Sequence, residues 1–162
     1  MMKKSSLVVA ALAAALAGSA AIGVAHGHGD EHGERAYGKP GDPKKPARTV
    51  EIVMKENEGD YAMMFIPDRV EVRSGEQIRF RLRNAGVRDH EFVLATVKDN
   101  LAHMKEMAKN PDMEHDDPNA RRLKPRETAE IVWQFTTPGQ FDFSCLIPGH
   151  RQAGMFGTVI VK

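Results

Sequence analysis

The sequence predicts an all-β protein, a β-sandwich with one short helix inserted between strands. Three observations carry that expectation. Short runs of alternating apolar and polar residues recur after Arg48, the period of strands half-buried in a core. Turn-forming residues separate them, at Glu58-Gly59-Asp60, Ser74-Gly75, Asn84-Ala85-Gly86 and Pro138-Gly139. Only one stretch, Val97 to Lys109, breaks the pattern with good helix formers. A chain of 162 residues, 41% hydrophobic and 28% charged, holds one modest domain of this kind plus some extra chain.

The extra chain is N-terminal. Met1-Met2-Lys3-Lys4-Ser5-Ser6 followed by the apolar run Leu7 to Ala17 has the positive start and short apolar core of a secretory signal. The run breaks at Gly18-Ser19 and falls short of the roughly 20 apolar residues that span a bilayer, so stable membrane insertion is not expected. Small residues in Gly23-Val24-Ala25 place cleavage after Ala25, which makes residues 1–25 a signal peptide and the mature protein periplasmic. From His26 to Arg48, Gly, Pro, His and charge dominate and large apolar residues are too few to offset the entropy of ordering. Residues 26–48 therefore read as a flexible, His-rich tail.

The domain follows at 49–162. Its expected strands are Val50 to Met54, Val70 to Val72, Ile78 to Leu82, His90 to Leu94, Ile131 to Phe135, Phe141 to Cys145 and Thr158 to Val161. In Ile78-Arg79-Phe80-Arg81-Leu82-Arg83 the apolar groups share one face and the arginines the other. Met63 and Met64, in the run Tyr61 to Ile66, read as core. The helix opens near Thr96, with Asp99 three residues on, and stops at Asn110-Pro111; the stretch from there to Pro125 reads as polar and irregular.

Composition excludes several functions. A formal net charge of +1 lacks the basic footprint of a nucleic-acid binder. The single cysteine, Cys145, rules out an internal disulfide, a multi-cysteine zinc site and a two-cysteine dinuclear copper centre. Against it stand 7 His and 9 Met. Thiolate, imidazole and thioether together are the ligand set that suits copper.

Those residue types converge in Phe141-Asp142-Phe143-Ser144-Cys145-Leu146-Ile147-Pro148-Gly149-His150-Arg151-Gln152-Ala153-Gly154-Met155. Phe141, Phe143 and Cys145 share a parity, so the thiol belongs on the core face. Cys145, His150 and Met155, each separated by four residues, can wrap around one ion. His90 shares parity with Phe92 and Leu94, points inward and supplies a fourth ligand. Two His and one Cys in a plane with a weak axial Met form an electron-transfer copper site, in which a rigid intermediate geometry suits both Cu(I) and Cu(II). Cys145 as a buried small hydrophobe, or as a nucleophile with His150 as base, is the competing reading. An oxidising compartment and the nearby Met155 argue against the nucleophile.

Other His and Met residues are candidates for auxiliary copper. His103 and Met107 stand one helical turn apart, beside Met104, Met113 and His115. The favoured reading is simpler: Leu101, Met104 and Ala108 pack on the sandwich while His103 and Met107 are solvated. His26, His28 and His32 could trap copper or nickel. Cleavage after Ala25 would give His26-Gly27-His28 a free amine, amide nitrogens and a third-position imidazole in one square-planar set.

The segment F-x-F-x-C-x-x-P-G-H, with Met155 beyond it and Asp89-His90 upstream, resembles the ligand loop and ligand strand of the cupredoxins, the small blue copper proteins related to azurin, rusticyanin and plastocyanin. The resemblance covers roughly Thr49 to Lys162. It implies an eight-stranded Greek-key sandwich, with some variation in strand count, and one type 1 copper near one end. Glu91 departs from the pattern, because many members carry Asn or Ser after the first His ligand. The function expected is an exported, monomeric, non-enzymatic copper protein acting in periplasmic copper tolerance or one-electron transfer with a transient redox partner. That partner would dock on an apolar patch of Leu146, Ile147, Pro148, Ala153 and Met155 around His150. The alternatives are a relative of multicopper oxidases or nitrite reductases, which need further clustered His and more chain, and a metal-free interaction sandwich, which leaves the ligand loop unexplained.

Overall fold

The computed structural model describes residues 35–57, 59, 62–110 and 117–162. The expectations for the signal peptide, His26, His28, His32, Met113 and His115 lie outside the described residues.

Ten strands and one helix follow in order: β1 (Lys39–Pro40), β2 (Arg48–Glu56), β3 (Met63–Ile66), β4 (Arg69–Val72), β5 (Gln77–Asn84), β6 (His90–Ala95), α1 (Val97–Lys109), β7 (Ala120–Leu123), β8 (Thr128–Gln134), β9 (Gly139–Ser144) and β10 (Phe156–Val161). They form two five-stranded sheets, β1-β8-β5-β2-β3 and β4-β10-β9-β6-β7. β2 runs parallel to β5, and β4 to β10, while the other pairs are antiparallel. The chain passes repeatedly from one sheet to the other, which makes the sandwich. Between the sheets lie Phe80, Phe92, Phe135, Phe143 and Trp133, all fully buried. Outside, Arg79 and Arg81 reach Glu130 at 2.8 and 3.3 Å, as the two-residue period of β5 requires.

The described fold differs from the sequence expectation in several places. The sandwich begins well before Thr49. Tyr37 is 3% exposed and stacks on Trp133 with ring centroids 5.5 Å apart. Its carbonyl accepts a hydrogen bond from Trp133 Nε1 at 2.7 Å, and β1 then pairs with β8. From Arg35 onward, therefore, the segment read as tail is part of the fold. One aromatic anchor and a two-residue strand are too little to register against Gly- and Pro-rich composition. The stretch before Pro125 likewise contains β7, whose four residues Ala-Arg-Arg-Leu pair with β6 and bury only their two ends. β3 is a true strand on β2, with Phe65 buried and Met63 and Met64 half-buried.

The helix has the expected bounds, and Thr96 Oγ1 accepts a hydrogen bond from the Asp99 N–H at 3.1 Å. Its buried face is only in part the expected one: Met104 packs on the sandwich as expected. Met107 is wholly buried against Val93, Ala120 and Leu146, whereas Leu101 and Ala108 are exposed. α1 lies on the outer face of β6 and β9, where a buried Asn100 is also needed to meet the polar Asp142. A helix seated over a carboxylate cannot be oriented by apolar spacing alone. Among the described residues no helix is long and apolar enough to cross a membrane.

Candidate metal centre

Three strand ends build the site. β6 opens on His90, β9 ends just before Cys145, and β10 opens just after Met155. The loop between β9 and β10 is tied by its own backbone. Met155 N–H donates to His150 O and Cys145 N–H to Met155 O, both at 3.1 Å, so the loop closes on itself at the two residues that flank it. Gly149 and Gly154, at φ of +89° and +102°, allow the reversals that a side chain would resist.

His90, Cys145 and Met155 are fully buried, and His150 is 8% exposed. One ligating atom from each of His90, Cys145 and His150 lies within 4.8 Å of the others, the only such His/Cys/Asp/Glu group among the described residues. Cys145 Sγ is 3.2 Å from His150 Nδ1 and accepts the Glu91 backbone N–H at 3.3 Å. The two imidazoles meet edge to face with centroids 5.2 Å apart. Neither His90 nitrogen makes a hydrogen bond. Nε2 lies 3.1 Å from the Glu56 carboxylate Oε1, close to it but without the alignment of a hydrogen bond.

Burial sets the protonation states. It pushes the Cys145 thiol up to about 12 against the Glu91 and Ile147 backbone N–H groups, and His150 down to about 4. Burial also lowers His90, with Glu56 opposing. The imidazoles are thus neutral, the form that ligates. A thiol so strongly held as S–H is no general nucleophile at neutral pH, whereas a soft cation displaces its proton. Burial raises the Glu91 carboxyl to about 7, opposed by the Leu146 N–H and by Arg122.

Several supporting groups lie outside the sequence motif. Asn84 shares the core parity of Ile78, Phe80 and Leu82, which was the available signal. It is fully buried, donates to Arg88 O at 2.7 Å and Leu123 O at 3.0 Å, and accepts the Gly86 N–H at 2.9 Å. Glu56 accepts the Val87 and Arg88 N–H groups at 3.1 and 2.9 Å. Together they fix the loop that delivers His90.

Two expectations about the surroundings need correction. Leu146 and Met155 are fully buried and cannot line a docking patch. Leu146 has the opposite parity from Cys145 and packs under α1 instead. Of the expected patch, Pro148 is exposed and Ile147 and Ala153 are half-exposed. On α1, His103 is half-buried and Met107 wholly buried, so neither is the solvated side chain expected.

A thiolate donor, two neutral imidazoles and buried His90 nitrogens without hydrogen bonds fit copper by the chemistry of the set. The family model of copper-binding proteins of the plastocyanin/azurin family matches residues 50–162. The chain belongs to that family. A copper-resistant cuproprotein, CopI, of Rubrivivax gelatinosus is 44% identical over 169 residues, covering 100% of this chain and 98% of its own. The CopI of Pseudomonas aeruginosa is 34% identical, covering 81% of this chain and 84% of its own. Among solved structures, auracyanin B superposes with a TM-score of 0.60 at 26% identity, over 77% of this chain and 96% of that one. The cupredoxin resemblance, the β-sandwich with one helix and copper as cofactor are therefore findings. Where the resemblance implies about eight strands, the described residues form ten, the short β1 among them.

Proposed function

We propose that this cupredoxin is exported to the periplasm, holds one type 1 copper through His90, Cys145, His150 and Met155, and protects the cell from copper through that one-electron site. The observation that carries the reading is the convergence of His90, Cys145 and His150 within 4.8 Å in a buried pocket. Copper there supplies one-electron exchange between Cu(I) and Cu(II). The protein's own part is to keep both imidazoles neutral, to offer the Glu91 N–H to the sulfur and to exclude water. Of His90, Cys145, His150 and Met155 only His150 keeps measurable exposure, 8%, so electrons enter and leave on its side. The copper-resistance names of the two CopI relatives support a protective role over a purely respiratory one.

The reading is non-enzymatic and monomeric. Multicopper oxidases and nitrite reductases need further histidine clusters, and among the described residues there is one. A metal-free sandwich would leave the buried His90 with Nδ1 unpartnered and Nε2 in only an unaligned contact with Glu56. The N-terminal His26, His28 and His32 form a second, separate copper trap in this proposal, and His28→Ala in the mature chain should lose a weak Cu(II) signal while keeping the Cys145 colour. The decisive biological test is growth of a deletion strain on copper. The wild-type gene should restore tolerance and the Cys145→Ser gene should not; equal rescue by both would refute a role for the buried site.

A further inference from the structure

We propose that Asp142 and Arg151 are a positioning pair for the centre, holding the ligand loop, and with it His150, from outside the sandwich. The inference rests on His150 being a ligand. β9 alternates Phe141, Phe143 and then Cys145 inward, which turns Asp142 and Ser144 outward. An outward carboxylate is ordinarily solvated, yet Asp142 is 4% exposed. Its Oδ2 accepts from Ser144 Oγ at 2.6 Å, Asn100 Nδ2 at 2.7 Å and an Arg151 nitrogen at 2.8 Å, and its Oδ1 accepts from the other Arg151 nitrogen at 3.2 Å. Arg151 also donates to Ser144 Oγ, and its guanidinium lies over the Phe156 ring, 4.9 Å from the centroid.

Apart from Asn100, the partners lie close in sequence to the ligands. Asp142 stands on β9 just ahead of Cys145, Arg151 directly follows His150, and Phe156 directly follows Met155. A two-toothed guanidinium–carboxylate fork fixes orientation as well as distance. A buried ion pair gives little net stability over an apolar replacement of the same shape, so direction is what this one adds. His150 is the ligand that needs it. His90 is held by β6 and Cys145 follows directly on β9, whereas His150 sits in the middle of the loop. A second tie supports the same segment, since Gln152 Nε2 lies 3.7 Å from Met104 Sδ on α1.

The test uses the full mature chain as wild type, Arg151→Gln, Asp142→Asn, Arg151→Lys and the Arg151→Gln/Asp142→Asn double variant. Copper content, chelator competition, Cu(II) optical and EPR spectra and the thermal midpoint are read for each. Supporting groups of metal ligands are worth about 10- to 100-fold in metal affinity, and a loss in that range is expected for each single variant, with shifted thiolate band and copper hyperfine splitting. The double variant should be no worse than the worse single, because the two side chains act as one unit. Arg151→Lys keeps the charge without the fork and should not restore the spectrum. Ile131→Val, in the other sheet, controls for stability by lowering the midpoint without moving the spectra. Variants with wild-type affinity and spectra, even at lowered midpoints, would overturn the proposal, as would full rescue by lysine. A wild-type protein with no thiolate copper band would overturn the ligand assignment and the pair with it.

Discussion

Replacing Tyr37 by Ala tests whether the segment before Thr49 belongs to the folded domain. The ring is 3% exposed, stacks on Trp133 at an interplanar angle of 18°, and touches Phe141 at 6.3 Å between centroids. Its hydroxyl meets Arg35 at 2.8 Å and the Asn119 amide at 3.3 Å. Deleting a buried aromatic side chain costs about 3–5 kcal/mol, aromatic stacking included. At about 4 °C per kcal/mol for a domain of this size, the thermal midpoint of the copper-free protein should fall by roughly 12–20 °C. Tyr37→Phe keeps the ring, and Asn119 keeps its 2.8 Å bond to Leu94 O. That variant should lose only about 1 kcal/mol. Circular dichroism during heating reads both. The copper spectrum should persist in both, because Tyr37 contacts the start of β9 and Cys145 follows its end. A loss below about 1 kcal/mol for Tyr37→Ala would be that of an ordinary surface position and would refute the placement of this segment in the fold.

Tyr37 also predicts a pH effect. Burial, partly offset by the Arg35 hydrogen bond, raises its hydroxyl above the ordinary value. The folded state therefore prefers the neutral phenol, and its contribution is complete below about pH 10 and lost as pH rises through the folded value. Urea titrations should show Tyr37→Phe with a flatter alkaline decline than wild type; an equal decline would count against it. Met155→Leu should retain copper and raise the reduction potential measured by voltammetry, because removing a weak axial donor disfavours Cu(II), and a lower potential would contradict this. Ile147→Glu places a charge on the half-exposed rim beside His150. Transient redox contacts are small, below about 1,200 Å² in total, so stopped-flow electron exchange should slow by about tenfold with little change in the optical spectrum. Unchanged rates with several partners would remove that surface from consideration.

Much of this architecture was legible in the chain because its signals are local. β5 announces itself through three arginines alternating with Ile78, Phe80 and Leu82. Cys145, His150 and Met155 stand within one loop, and His90 is inward by simple parity with Phe92 and Leu94. What escaped depends on partners distant in sequence. β7 is an Ala-Arg-Arg-Leu strand that exists because β6 offers it an edge. Tyr37 is anchored by Trp133, 96 residues away. Asp142 has the outward parity of β9, and only α1 and Arg151 lying over the sheet bury it. The face of α1 escapes apolar spacing for the same reason, since Asn100 and Met107 are selected by what lies beneath them.

Titration of the copper-free protein with Cu(II), followed by optical and EPR spectra in wild type and Cys145→Ser, bears most directly on the buried site. The wild type should develop an intense charge-transfer band between roughly 400 and 650 nm, the order of magnitude for thiolate copper, which saturates at about one equivalent whatever the N-terminal histidines take up. Cys145→Ser should show no such band. An intense band surviving in that variant, or none in the wild type, would contradict a copper centre built on Cys145.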